Sequence, residues 1–157
     1  MTDSAAAVHA IMATRYGADG IRGAGPCVRS AKYAGTDASY FAKANEDVVT
    51  ILLLEGREAI DNIRQLVTIP NIDVLMMGVW DLSSSLGIPG QVDSPLVMSK
   101  LEVIIKEAKA RGIDLGSLWL DGAEAKRWAG LGIKFLPTVD TTMIIEHWRK
   151  VVQDIRG

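Results

Sequence analysis

Two acids stand where apolar chain runs out. Glu55 closes "VVTILLLE" and Asp81 closes "IDVLMMGVWD", 26 residues apart. If each run is a buried strand with a helix between them, that spacing is one strand-helix-strand unit. Right-handed crossover then sets both acids on adjacent parallel strands, at the same edge of a sheet. Neighbouring strands lie ~4.8 Å apart, and carboxylates held that close repel unless a cation or a shared proton relieves them. An all-oxygen donor pair suits a hard divalent ion, Mg²⁺ or Mn²⁺, and leaves coordination positions for water and substrate. A second reading needs no metal: acids near helix N-termini are favoured by the helix dipole, so both residues serve equally well as helix-start groups. Spacing alone leaves the two readings open.

The remaining reactive side chains are less suggestive. His9 and His147 fall on expected helices, away from any strand end, which fits surface or packing roles and gives no histidine base or triad. Lys134 begins an expected strand, the wrong end for a Schiff-base amine. "GADGIRGAGP" is glycine-rich, but it follows a helix and lacks the Gly-x-Gly-x-x-Gly spacing of a nucleotide loop. Cys27 has no partner base and reads as an inert thiol. Trp119, Trp128 and Trp148 are core candidates, whereas Trp80 adjoins Asp81 and is placed to line a pocket.

The elements that must position the two acids follow from periodicity. Residues 4–14 space Val8, Ile11 and Met12 as a short helix with Ser4 as its cap, and 17–37 form a long Gly-rich loop. A second short helix over 38–45 leads into "DVVTILLLEG", whose unbroken apolar run predicts a strand covered on both faces. One helix is expected over "REAIDNIRQLVTI", then a second doubly buried strand in "IDVLMMGV" and a serine-rich turn. Ser94-Pro95 reads as a cap with proline at the first helical position, opening a helix over 95–110 that Gly112 terminates. "DLGSLWL" predicts a third strand and 122–131 a helix. "KFLPTV" predicts a weaker strand, since Pro137 cannot donate to a ladder. The last helix, 142–155, is expected to pack Ile144, Ile145, Trp148, Val151, Val152 and Ile155. Four strand-helix alternations mean an α/β fold with a parallel sheet, either open and doubly wound or part of a (β/α) barrel. In both, ligands gather at the carboxyl ends of strands, where Glu55 and Asp81 stand.

Composition bounds the rest. The 157 residues fit a single domain, 48% apolar with a net charge of −2 and no basic block that would suit nucleic acid. One cysteine and no basic-then-apolar leader point to the cytoplasm. No apolar run approaches the roughly 20 residues of a membrane span.

The stretch "LLLEGREAIDNIRQLVTIPNIDVLMMGVWDLSSSLGIPGQVDSP", with "GIRGAGPCVRSAKY" and "YFAKANEDVV" upstream, resembles the HpcH/HpaI aldolases, divalent-metal aldolases of 2-oxo acids. The resemblance runs from about residue 5 to the end, with several motifs in order. It implies a (β/α) TIM-barrel-type fold and a carbon–carbon lyase that takes a small 2-oxo acid such as pyruvate. Glu55 and Asp81 would be the metal ligands, for Mg²⁺ or Mn²⁺. It further implies that the amides of Trp80 and Asp81 hold the substrate carboxylate, that Leu118 faces the substrate, and that a loop arginine, Arg29 first and Arg22 second, approaches the site.

The sequence also departs from the family pattern. Leu53 and Gly56 replace the glutamine and threonine that flank the metal glutamate, and Val79 and Trp80 replace a proline and a small residue before the aspartate. The indole of Trp80 takes space that an aldehyde partner would need. Family barrels run to about 250 residues, and this chain matches only the C-terminal half, about strands five to eight. The family's substrate-binding arginine and catalytic histidine would lie in the other half. A four-strand piece leaves two parallel edges to cover. The expectation is therefore a partial barrel over 1–157, completed by homo-oligomerisation, by a chain supplying the first half or by rearranged termini, unless the reading frame is truncated. Alone it is expected to turn over poorly. The alternatives are a catalytically inactive half-barrel subunit or binding scaffold and, more distantly, a citrate-lyase-type enzyme acting on CoA esters.

Overall fold

The computed structural model describes residues 3–25, 27–31, 33 and 38–157. Its parts of the expected 17–37 loop are better organised than composition suggests, while 26, 32 and 34–37 lie outside the described residues. Helix α1 (Ser4–Thr14) is capped by Asp3, whose carboxylate accepts from the Ala6 amide at 2.8 Å, so Ser4 is the first helical residue and not the cap. Beyond it, Arg15 and Tyr16 are buried and locked to Asn45 of α2 (Ala38–Asp47). The Tyr16 amide donates to Asn45 Oδ1 (2.8 Å), Asn45 Nδ2 donates to the Tyr16 carbonyl (3.0 Å), and Arg15 Nη1 donates to the Asn45 carbonyl (2.6 Å). The asparagine side chain thus satisfies both backbone groups of Tyr16, and Arg15 satisfies the asparagine's own carbonyl.

Three parallel strands follow in the order β1 (Ile51–Leu54), β2 (Val74–Met77) and β3 (Asp114–Ser117). Their register pairs Leu53 with Met76 and Met76 with Gly116. It is pinned at the amino end, where the Thr50 amide donates to Asp73 Oδ2 at 2.7 Å and the Asp73 amide to the Thr50 carbonyl at 3.1 Å. The fourth expected strand survives only as bridges of Phe135 to Gly116 and Thr138 to Trp119. Pro137, between them, has no N–H to donate, and its carbonyl accepts from the Trp119 amide at 3.2 Å.

The crossovers are helical. The single helix expected after β1 is two, α3 (Arg57–Asp61) and α4 (Ile63–Leu66), broken at Asn62. The serine-rich segment expected as a turn is helix α5 (Val79–Ser85). Helix α6 (Pro95–Ala110) begins as expected, with Ser94 accepting from the Val97 amide at 3.3 Å, and ends before Gly112 at φ +69°. Helix α7 (Gly122–Gly130) is capped by Asp121, and α8 (Asp140–Arg156) closes the described chain.

The two sheet faces differ, contrary to the expectation of strands covered on both sides. Leu52, Leu54, Leu75, Met77 and Leu115 point to one face and are buried in a core with Ile63, Leu66, Leu82, Leu101, Ile104 and Trp128. On the other face Ile51 and Leu53 remain 41% and 42% exposed, with Met76 and Phe135 beside them. The run "ILLL" does not alternate in sequence, yet its burial alternates residue by residue. The last helix also departs from expectation. None of its residues is buried, and Trp148 and Ile155 are 62% and 78% exposed, because no described element packs over its apolar side.

Candidate active site

The carboxyl ends of the strands frame a cavity of about 320 Å³ that contains both acids singled out by spacing. Glu55 follows β1 directly and is half-buried. The chain of β2 reaches it through Gly78, whose amide donates to the Leu54 carbonyl at 2.8 Å. A Cβ on residue 78 would lie 2.7 Å from Glu55 Cβ and 3.4 Å from its Oε2. Only glycine therefore lets the end of β2 pass this close to the glutamate. Asp81 lies one helical turn further on. It is exposed and belongs to the first turn of α5, not to the end of the strand as the sequence suggests. The first bond of that helix runs from the Leu82 amide to the Gly78 carbonyl (2.9 Å), so the amides of Val79, Trp80 and Asp81 precede the hydrogen-bonded turn.

The helix-start reading of the two acids fares unequally. The cap of α3 is Gly56, with no side chain capping it, so Glu55 does not serve as one. Asp81 is the acid of the first turn of α5 and benefits from its dipole. Neither carboxylate has a hydrogen bond or ion pair with any described residue.

Trp80 and Leu118 also line the cavity, together with Leu53, Met76 and Ser117. Leu118 is held from behind: its carbonyl accepts from Nε1 of the buried Trp128 at 3.1 Å. Arg22 and Arg29 are not among the lining residues. Arg22 lies over the Tyr16 ring at 4.5 Å, and Arg29 sits in an exposed 3₁₀ turn, Arg29–Ala31.

Sequence reasoning missed one lining acid, Glu124. Its Oε2 accepts from the Leu120 amide (2.9 Å), its own amide donates to Asp121 Oδ1 (2.8 Å), and Oε1 lies 3.5 Å from Arg127, which also pairs with Asp93. The signal was available in "DGAE", an N-cap aspartate followed three residues later by glutamate. Glu124 thus has a charge partner, Arg127, whereas Glu55 and Asp81 have none among the described residues. Among the described residues, no group of three or more acids, histidines or cysteines converges as a metal site, so the donor set is the pair. The two acids are oxygen donors on one cavity with no compensating cation among the described residues lining it, a set that fits a hard divalent ion.

Comparison with known proteins gives a consistent result. A family model described as HpcH/HpaI aldolase/citrate lyase matches residues 1–146. A 4-hydroxy-2-oxo-heptane-1,7-dioate aldolase of Salmonella arizonae is 34% identical over 136 residues, covering 86% of this chain and 52% of that protein. The chain spans about half the length of the curated relatives it matches. The crystal structure of an HpcH/HpaI aldolase/citrate lyase family protein from Burkholderia cenocepacia superposes with a TM-score of 0.92 at 26% identity, covering all of this chain and 63% of that one. An HpcH/HpaI aldolase from Desulfitobacterium hafniense has the same fold, with a TM-score of 0.85 at 23% identity over 94% of this chain and 57% of that one.

Proposed function

The chain belongs to the HpcH/HpaI aldolase/citrate lyase family, and on that premise we propose that its cavity is the metal and 2-oxo-acid site of a carbon–carbon lyase. The observation that carries the reading is the pair Glu55 and Asp81, two carboxylates with no partner among the described residues, on one cavity at the carboxyl ends of β1 and β2. Mg²⁺ or Mn²⁺ would be held by these two side chains. Bound there, the ion supplies Lewis-acid stabilisation of the negative charge that develops on a 2-oxo acid during aldol cleavage or addition.

The chain's own residues supply binding and shape. The amides of Trp80 and Asp81, ahead of the hydrogen-bonded turn of α5, orient the substrate carboxylate. Leu53, Met76 and Leu118 give the reacting end an apolar wall, which would strengthen charge interactions within it once the open sheet face is covered. Arg29, or after it Arg22, would need a loop arrangement other than the described one to reach the cavity. The names of relatives that act on a 4-hydroxy-2-oxo dioate support a substrate among the 4-hydroxy-2-oxo acids, which would be cleaved between C3 and C4 to pyruvate and an aldehyde.

We also propose that the three strands and their bridged fourth segment are about strands five to eight of a (β/α) barrel. The exposed apolar face with Ile51 and Leu53, and the uncovered side of α8, support completion by a second copy or by a chain carrying the other half. No histidine, lysine or arginine is among the described residues lining the cavity, which favours poor turnover by this chain alone. The same observation supports a second reading, a subunit that binds cation and ligand without catalysis. Pyruvate release from 4-hydroxy-2-oxo acids, measured with and without EDTA, separates them. Chelator-sensitive release supports the lyase, no release supports the subunit, and chelator-insensitive release refutes the metal reading of turnover.

A further inference from the structure

The cavity wall carries a large aromatic side chain that remains half exposed. Trp80 is 49% exposed although it lines the cavity. Its backbone is fixed by Ser83, which is fully buried. Ser83 Oγ donates to the Trp80 carbonyl at 2.7 Å and accepts from the Gly90 amide at 3.0 Å, tying the start of α5 to the turn that ends at Gly90. Gly90 has φ +79°, and a Cβ there would lie 3.8 Å from Cζ3 of the indole. The ring therefore has backbone along one edge.

Charge in the cavity is one-sided. Three carboxylates line it, Glu55, Asp81 and Glu124, and no described cationic side chain does. A dication would offset the first two, and Arg127 already engages the third. A ligand with one carboxylate at its chelating end can be satisfied here, but a second carboxylate at the far end meets no opposite charge and a wall of indole and aliphatic groups. A second anion there adds charge to a cavity already lined by carboxylates, whereas a flat apolar tail gains contact with the ring face.

We propose that Trp80 is a specificity-determining residue, selecting 2-oxo acids with a flat, apolar tail over those whose tail ends in a second carboxylate. This rests on the reading of the cavity as a 2-oxo-acid site and adds the class of tail that it accepts.

Calorimetric titration of the full chain at saturating Mn²⁺ tests it, with pyruvate, phenylpyruvate and 2-oxoglutarate as ligands. In the unsubstituted protein phenylpyruvate should bind ~10-fold or more tightly than 2-oxoglutarate, the scale expected of a ring contact combined with like-charge repulsion of the second carboxylate. The readout is the ratio of these two affinities, so any effect on the chelating end, which both share, cancels. Trp80→Ala should collapse the ratio toward unity and Trp80→Phe should retain most of it. A ratio near or below unity in the unsubstituted protein, or one unchanged by Trp80→Ala, overturns the assignment. If pyruvate binds and the ratio fails, only this inference falls. If pyruvate does not bind with cation present, the 2-oxo-acid reading fails and takes the inference with it.

Discussion

Gly78→Ala places the heaviest demand on the account with the smallest chemical change. Gly78 has φ −83° and ψ 78°, so alanine meets no left-handed penalty there and the cost is steric. The added Cβ would sit 2.7 Å from Glu55 Cβ, a distance that real Cβ atoms essentially never show. Relief needs a displacement of about 0.8 Å to reach ordinary carbon contact, whose optimum begins at about 3.5 Å. Glu55 Cβ is attached directly to backbone just past β1, where the Gly78 amide bonds the Leu54 carbonyl, so the shift cannot be absorbed by rotating a side chain. Overpacking of this kind costs about 1–3 kcal/mol of folding stability. Metal sites hold their ligand distances to within about 0.2 Å, so the same shift should weaken cation binding by about tenfold or more. Gly56→Ala, one residue past Glu55, is the control, because a Cβ there meets nothing within 4 Å. Urea denaturation reads the stability and Mn²⁺ titration reads the site. Wild-type stability and wild-type cation affinity in Gly78→Ala would refute the claim that Glu55 is held at the site by that close approach.

Three further outcomes are expected. Trp128→Phe removes the donor to the Leu118 carbonyl and should cost about 1–3 kcal/mol in urea denaturation. Ser94→Ala removes the cap of α6 and should cost ~1 kcal/mol by the same measurement, without effect on cation affinity. Paired Ile145→Ser and Trp148→Ser substitutions on α8, where both side chains are at least half exposed, should leave the monomer's folding almost unchanged and lower the mass seen by size-exclusion with light scattering. An unsubstituted protein that is a compact monomer at all concentrations would count against self-association.

How far these features can be read from residues alone depends on what each residue type constrains. The parallel order and the two acids follow from apolar run lengths and a 26-residue spacing, which depend on local chain properties. The Ser94-Pro95 helix start was legible for the same reason. The break at Asn62 was not, because "REAIDNIRQL" keeps an apolar period across it. Nor was the one-sided burial of β1: "ILLL" reads as covered on both faces, and exposure of Ile51 and Leu53 depends on which chain lies opposite. The packing expected of α8 failed similarly, since an apolar stripe states that a helix has a face to bury and not against what. Asp81 was placed at a strand end, yet it sits in the first helical turn, because "VWDLSSS" carries serines that suit both turns and helix starts. Glu124 is not legible from strand ends, because it belongs to the first turn of α7 and reaches the same cavity from there.

Cation titration of the unsubstituted chain against Glu55→Gln and Asp81→Asn tests the central claim most directly. Each substitution keeps the side-chain shape and removes one charge. The account requires binding of one Mg²⁺ or Mn²⁺ by the unsubstituted chain, lost by about tenfold or more in each variant. Cation-free stability should change by no more than about 1 kcal/mol: Glu55→Gln removes a carboxylate with no partner among the described residues, and Asp81→Asn gives up the favourable interaction with the α5 dipole. Equal cation affinity in all three proteins would contradict the metal reading of the pair.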